Sequence, residues 1–300
     1  MRILFITATR IGDAVISTGL LSHLIKQNPG ASVTVACGPL AESLFTSVPG
    51  LDRVIVLSKS AFSGHWFRLW NDVRKQRWDI VVDLRRSLIP YLVRTRHRYR
   101  LGPDDHKSHR VALLSQLFDL TPPSPPTLWI SAEQEALAEA MLTEDRPVVA
   151  LCPTAARREK TWPVEQFSGL AQAIIDDPQE FSNANVLLVG AEEDRPVLDQ
   201  IASLLPKGRS TILAGCPNLQ CVAAVLSRCA VTVANDSGLA HLAAAAGSPT
   251  VALFGPTRAD LYKPWGMRVA VVQAPEIQCE RSIEDIKMSD VLAGIHSVLD

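Results

Sequence analysis

A chain of 300 residues, 47% hydrophobic and 20% charged, has an ordinary soluble composition and the length for two domains of about 150 residues each. The formal net charge of −1 excludes nucleic-acid binding driven by overall charge. No apolar run reaches the roughly 18 residues of a membrane-spanning helix, and the opening Met1–Ile6 is too short for a signal peptide, so a cytoplasmic protein is expected.

Residues 2–7 read as a buried strand, followed by Thr9-Arg10-Ile11-Gly12-Asp13 and a helix from Ala14 to Gln27, with Ile16, Leu20, Leu21, Leu24 and Ile25 at helical spacing. Strands are expected at Val33–Cys37, Arg53–Leu57 and Asp79–Leu84, with helices at about 40–47 and 63–76 between them. Short apolar strands alternating with helices predict a parallel sheet covered on both faces. The middle is less regular: Arg85–Arg110 carries eight Lys or Arg against two acids. A helix at 109–118 leads into the stiff connector Thr121–Pro126, and a helix at 131–143 precedes an expected domain boundary at Thr143–Pro147.

The pattern then restarts. Strands are expected at Val148–Cys152, Asn185–Gly190, Ser210–Leu213, Val231–Ala234, Thr250–Phe254 and Val269–Val272, with helices between them and an amphipathic helix from Ser282 to Leu299. The six cysteines form neither a zinc pattern nor a CxxC pair, and are expected to be buried free thiols in a reducing cytosol.

Four loops can carry chemistry. After strand 231–234, Asp236 or Ser237 can cap the next helix, and Gly238 opens its backbone to a ligand. The free N–H groups there and the helix dipole favour an anion, although an ordinary capped helix start fits equally well. His241 sits one turn in, placed either to touch a phosphate or ribose or to be a satisfied helix histidine. Phe254-Gly255-Pro256-Thr257 is a tight turn at a strand end whose Thr257 can also meet a phosphate. The loop Pro153–Pro163 holds Thr154, a candidate hydroxyl donor, and Lys160, which reads as a surface lysine or as the cation that neutralises a diphosphate leaving group. Asp13 is a first-turn acid favoured by the helix dipole or a general base. Neither GxGxxG nor GxxxxGK[ST] occurs.

In order and spacing, Gly12-Asp13, Lys160-Thr161-Trp162-Pro163, Asp236–His241 and Gly255-Pro256-Thr257 resemble glycosyltransferase family 9, the heptosyltransferases of bacterial lipopolysaccharide synthesis. The resemblance implies a GT-B fold: two Rossmann-like domains with parallel sheets facing a cleft. Residues 1–145 would bind the acceptor and 146–280 the nucleotide-sugar, with helix 281–300 packing back on the first domain. It implies an inverting transfer without metal or other cofactor, typically from ADP-heptose. Asp13 matches the base and Lys160 the residue that stabilises the diphosphate. Asp236, Ser237, Gly238, Leu239 and His241 match donor contacts, with Thr154, Thr257 and Glu192 or Glu193 beside them. Gly12 falls on the acceptor side. Three departures stand out: Ala155 and Ala156 replace hydroxyl residues, Ser17-Thr18-Gly19 stands where a proline is usual, and the stretch 85–126 is compact for the family.

In this context the basic stretch, with Arg94, Arg96 and Arg98, is expected to meet an anionic glycolipid acceptor or the inner face of the cytoplasmic membrane. A family member using another nucleotide-sugar, a nucleotide-sugar epimerase and a non-catalytic nucleotide-sugar binder are the competing readings.

Overall fold

Apolar runs of the sequence become parallel strands, in two sheets. The computed structural model describes residues 1–58, 64–103, 107–142, 146–177, 181 and 183–300, and divides into two units, Met1–Ser131 and Ala132–Asp300.

The first unit contains β1 (Arg2–Ile6), α1 (Ile11–Gln27), β2 (Ser32–Cys37), β3 (Leu51–Val56), α2 (Gly64–Val73), β4 (Arg77–Asp83), α3 (Ile89–Leu92), β5 (Arg94–Arg100) and α4 (Arg110–Ser115). Its sheet runs β3-β2-β1-β4-β5, all parallel. Ile3, Leu4, Phe5 and Ile6 are wholly buried, as a central strand covered on both faces requires. The order reverses between β1 and β4, so the loops leaving those strands flank the crevice where open α/β sheets bind ligands.

Strand β5 was not expected. Its sequence, RTRHRYR, carries no apolar signal because it forms the sheet's edge, where charged side chains blunt further pairing. The connector after α4 lies along α1. Ser124 Oγ donates to the Gly19 carbonyl (2.9 Å), and the Thr127 N–H donates to Thr18 Oγ1 (2.9 Å). A Cβ at residue 19 would stand 2.5 Å from the carbonyl oxygens of Ser124 and Pro125, which explains the glycine.

The second unit contains α5 (Ala132–Met141), β6 (Val148–Cys152), α6 (Val164–Asp176), β7 (Asn185–Gly190), α7 (Arg195–Ser203), β8 (Ser210–Ala214), α8 (Leu219–Ser227), β9 (Val231–Asn235), α9 (Gly238–Ala245), β10 (Thr250–Phe254), α10 (Ala259–Tyr262), β11 (Val269–Gln273) and α11 (Met288–Leu299). The sheet order β11-β10-β9-β6-β7-β8 is the doubly wound Rossmann order, with its reversal between β6 and β9.

Two expectations of organisation change. Residues 143–145 of the anticipated boundary lie outside the described residues. Helix α5, expected in the first domain, belongs to the second unit: it packs on α8, with Glu135 paired to Arg228 at 2.6 Å. The closing helix α11 buries Val291, Ile295 and Val298 in the second unit's own core against β10 and β11. Its apolar stripe covers that sheet face.

Cys37, Cys152, Cys221 and Cys229 are buried free thiols, whereas Cys216 is half-buried and Cys279 exposed. No helix among the described residues is long and apolar enough to cross a membrane.

Candidate active site

The reversal point of the second sheet collects most of the expected donor residues. The loop leaving β6 makes a 3₁₀ turn at Arg158–Lys160 and then inserts Trp162, which is wholly buried. The Trp162 N–H donates to Asn235 Oδ1 at the end of β9 (3.1 Å), its indole Nε1 donates to the Ile286 carbonyl (3.0 Å), and its ring meets Phe167 edge-on. The anchored indole positions the residue two places before it: Lys160 Nζ lies 2.6 Å from Asp236 Oδ2. The two side chains retain only 23% and 7% of their exposure, so the pair is well shielded from solvent.

The anticipated helix cap is absent. Asp236 is committed to Lys160, and Ser237, though at the N-cap position in extended backbone, makes no capping bond. Its Oγ and the Nδ2 of Asn235 are buried without a partner. Uncapped N–H groups, a buried hydroxyl and a lysine thus converge on the start of α9, an arrangement suited to an oxyanion. Gly238 and Leu239 form the first turn and are partly exposed, while His241 is buried one turn further on.

The neighbouring loops are held by residues not singled out from sequence. Gln273 on β11 donates from Nε2 to the carbonyls of Gly255 (2.8 Å) and Thr257 (3.2 Å), fixing the Gly-Pro-Thr turn. Gly255 lets that turn approach the Lys160 loop: a Cβ there would lie 3.2 Å from the Glu159 carbonyl oxygen and 2.9 Å from Ile283 Cβ. Thr154 Oγ1 donates to Asp194 Oδ2 (2.8 Å), which also accepts from the Ala191 N–H, so the loops after β6 and β7 are joined. Glu192, exposed at the end of β7, lies against Gly215 after β8. This is the place of the acid that holds a ribose in Rossmann sheets. An open hollow of about 910 Å³ lies beside these loops, bordered by Arg158, Glu159, Pro256 and residues 279–284, and includes none of the expected donor residues.

In the first unit, Gly12 and Asp13 lie in the first turn of α1, which has no side-chain cap. Asp13 lines a cavity of about 200 Å³ at the β1/β4 reversal, together with Thr7, Thr9, Arg10, Arg85 and Arg110. Arg94, Arg96 and Arg98 do not line it. Strand alternation puts them on one face of edge strand β5, where Arg98 Nε donates to the Pro90 carbonyl (3.0 Å) and its guanidinium sits 5.8 Å from the Tyr91 ring centroid.

Residues 92–291 match the model of glycosyltransferase family 9 (heptosyltransferase). Lipooligosaccharide heptosyltransferase 2 of Haemophilus influenzae is 27% identical, the match covering all of this chain and 95% of that protein. The solved E. coli ADP-heptose lps heptosyltransferase II superposes with a TM-score of 0.82 at 24% identity, over 100% of this chain and 98% of that one. A UDP-GlcNAc 2-epimerase from Methanocaldococcus jannaschii shares the fold at a TM-score of 0.56 and 10% identity, covering 100% and 93% of the two chains. That likeness is one of fold alone and lends no weight to epimerase chemistry. With the family model spanning two thirds of its length, this chain is a GT-B glycosyltransferase belonging to family 9, the heptosyltransferases.

Proposed function

We propose that the protein moves a sugar from a nucleotide-sugar, ADP-heptose by analogy with the E. coli enzyme, to a lipopolysaccharide core acceptor with inversion at the anomeric carbon. The observation that carries this reading is the Lys160–Asp236 pair beside the uncapped start of α9. Asp236 holds Lys160 where a diphosphate would meet its ammonium, together with the α9 N–H groups and the Ser237 hydroxyl. Gly238, Leu239 and His241 contact the phosphates and sugar, Thr257 and Thr154 flank them, and Glu192 takes the ribose. The second unit is thus the donor domain and the first the acceptor domain.

Asp13 accepts the proton of the acceptor hydroxyl. The freed oxygen bonds to the anomeric carbon as the bond to the diphosphate breaks, and the electron pair leaves with the nucleoside diphosphate. In this reading Lys160 and the α9 dipole supply the charge balance at the leaving group, and no metal is required.

Arg94, Arg96 and Arg98 form the basic face of β5, where Arg98 stands over the ring of the exposed Tyr91. We assign this mixed basic and apolar surface to the anionic glycolipid and the inner membrane surface that carries it.

A thermal-shift series with ADP-, GDP-, UDP- and dTDP-linked sugars tests the donor site, since binding to the folded state raises stability with the logarithm of ligand concentration. ADP-linked sugars are expected to stabilise; no response to any of the four defeats the reading. Asp13→Ala is expected to abolish turnover while donor affinity stays. Retained turnover removes Asp13 as the base.

A further inference from the structure

Charged side chains of both signs meet at the first-unit cavity. Among the described residues, Arg10, Arg85 and Arg110 line it with Asp13. Asp83, fully buried at the end of β4, is occupied otherwise: Oδ1 accepts from the Arg85 backbone N–H (2.8 Å) and Oδ2 from the Ser87 hydroxyl (2.7 Å).

Arg85 is held for use. Its backbone is fixed by Asp83, and its guanidinium lies 5.3 Å from the centroid of the Trp66 ring. A cation–π contact of this kind restrains the side chain and leaves guanidinium N–H groups to donate. Nη1 is buried and donates to nothing. A desolvated, fixed guanidinium N–H is costly unless a ligand completes it.

We propose that Arg85 is a specificity-determining residue that binds an oxyanion of the acceptor, a carboxylate or a phosphate monoester, beside the hydroxyl presented to Asp13. The guanidinium fork matches either group in a two-bond contact. The volume of about 200 Å³ suits one substituted sugar edge and not a whole glycolipid. Arg85 therefore reads the sugar at the reacting centre, separately from the β5 arginines, which face elsewhere. The proposal rests on Asp13 as the acceptor base.

The test uses the full chain and two independent readouts. Inorganic phosphate is titrated while tryptophan fluorescence is followed, and the difference from Trp66→Phe isolates the first-unit signal from phosphate bound elsewhere. A saturable Trp66-dependent change is expected in the native protein, weakened about tenfold or more in Arg85→Met and partly restored in Arg85→Lys. In steady-state assays Arg85→Met is expected to raise the acceptor KM about tenfold or more while the donor KM holds. This binding readout stands even if no glycosyl transfer is found, so failure of the proposal and failure of the transferase reading are distinct. Acceptors lacking phosphate, or with amidated carboxylates, identify the source: the form that no longer distinguishes native protein from Arg85→Met has lost the anchoring group. An unchanged phosphate titration with an unchanged acceptor KM in Arg85→Met overturns the proposal, as does equal sensitivity of both stripped acceptors.

Discussion

Lys160 and Asp236, 76 residues apart in the chain, meet at 2.6 Å where the second sheet reverses its strand order. Asp236 is the more deeply buried partner, so the pair is asymmetric: removing the lysine strands a shielded carboxylate, whereas removing the aspartate frees a lysine that can still reach water. Lys160→Met is expected to lower stability by about 1–3 kcal/mol and kcat by roughly 100-fold. In Lys160→Met/Asp236→Asn the stability should return and the turnover should not. Urea melts and steady-state kinetics on the native protein, Lys160→Met, Asp236→Asn and the double variant read the coupling; additive losses would show that the contact contributes nothing.

Ser237 provides a sign test. A serine that caps a helix costs about 1 kcal/mol when replaced by alanine. Here the hydroxyl makes no cap and is buried without a partner. Ser237→Ala is therefore expected to leave the ligand-free melting temperature unchanged or higher while weakening ADP binding several-fold. A lower melting temperature with unchanged ADP affinity would return Ser237 to an ordinary cap.

Gly19 sets helix propensity against packing. Inside a helix, Gly→Ala alone would stabilise by about 1 kcal/mol. The added Cβ would stand 2.5 Å from two backbone carbonyl oxygens of the connector, which cannot turn away as a side chain can. Gly19→Ala is expected to destabilise by about 1–3 kcal/mol, measured by urea denaturation.

The buried thiols make stability fall in alkali. Burial pushes Cys37 up to about 12, with Glu42 adding to it, and pushes Cys229 up to about 12 by burial alone. Cys152 is raised too, chiefly by burial. Raised values favour the neutral thiol in the folded protein. Their contribution is complete below the ordinary thiol value of 9.0 and is lost as pH climbs from there towards about 12, because the unfolded chain has already released its protons. Melts at successive pH values should show a shallower decline in Cys37→Ala/Cys229→Ala. A parallel decline in both proteins would assign the alkaline loss to other groups.

Reversing the charge of Arg94 and Arg96 to glutamate is expected to weaken binding to vesicles containing anionic lipid, by roughly 1 kcal/mol or more per residue at low salt. Neutral vesicles should not respond to either protein. Equal sedimentation of the two proteins with anionic vesicles would remove the membrane assignment for β5.

The strands of both sheets were legible because each central one is buried on both faces and so reads as an apolar run. β5 was not, since an edge of alternating arginines has the composition of a solvated loop. The position of α5 was hidden for a different reason: breaker residues after it suggested a boundary, but its packing on α8 decides its unit. At the site, Lys160, Asp236 and Ser237 stood out by residue type and place. Which of them pair and which stay uncapped depends on Trp162, whose partners are distant in sequence. The β5 arginines were favoured over Arg85 and Arg110 because charge density along a chain carries no information about facing. Only the strand's alternation and the packing of α4 on α1 separate them.

Trp162 reaches partners 73 and 124 residues ahead of it, at Asn235 and Ile286. Until the ribosome has delivered Ile286, the indole N–H has no carbonyl to meet and no reason to leave water. The loop carrying Lys160 is made well before Ile286, yet it settles only once that residue has been delivered. A product that stops between residues 257 and 286 would hold every proposed donor contact and still lack the anchor that places Lys160.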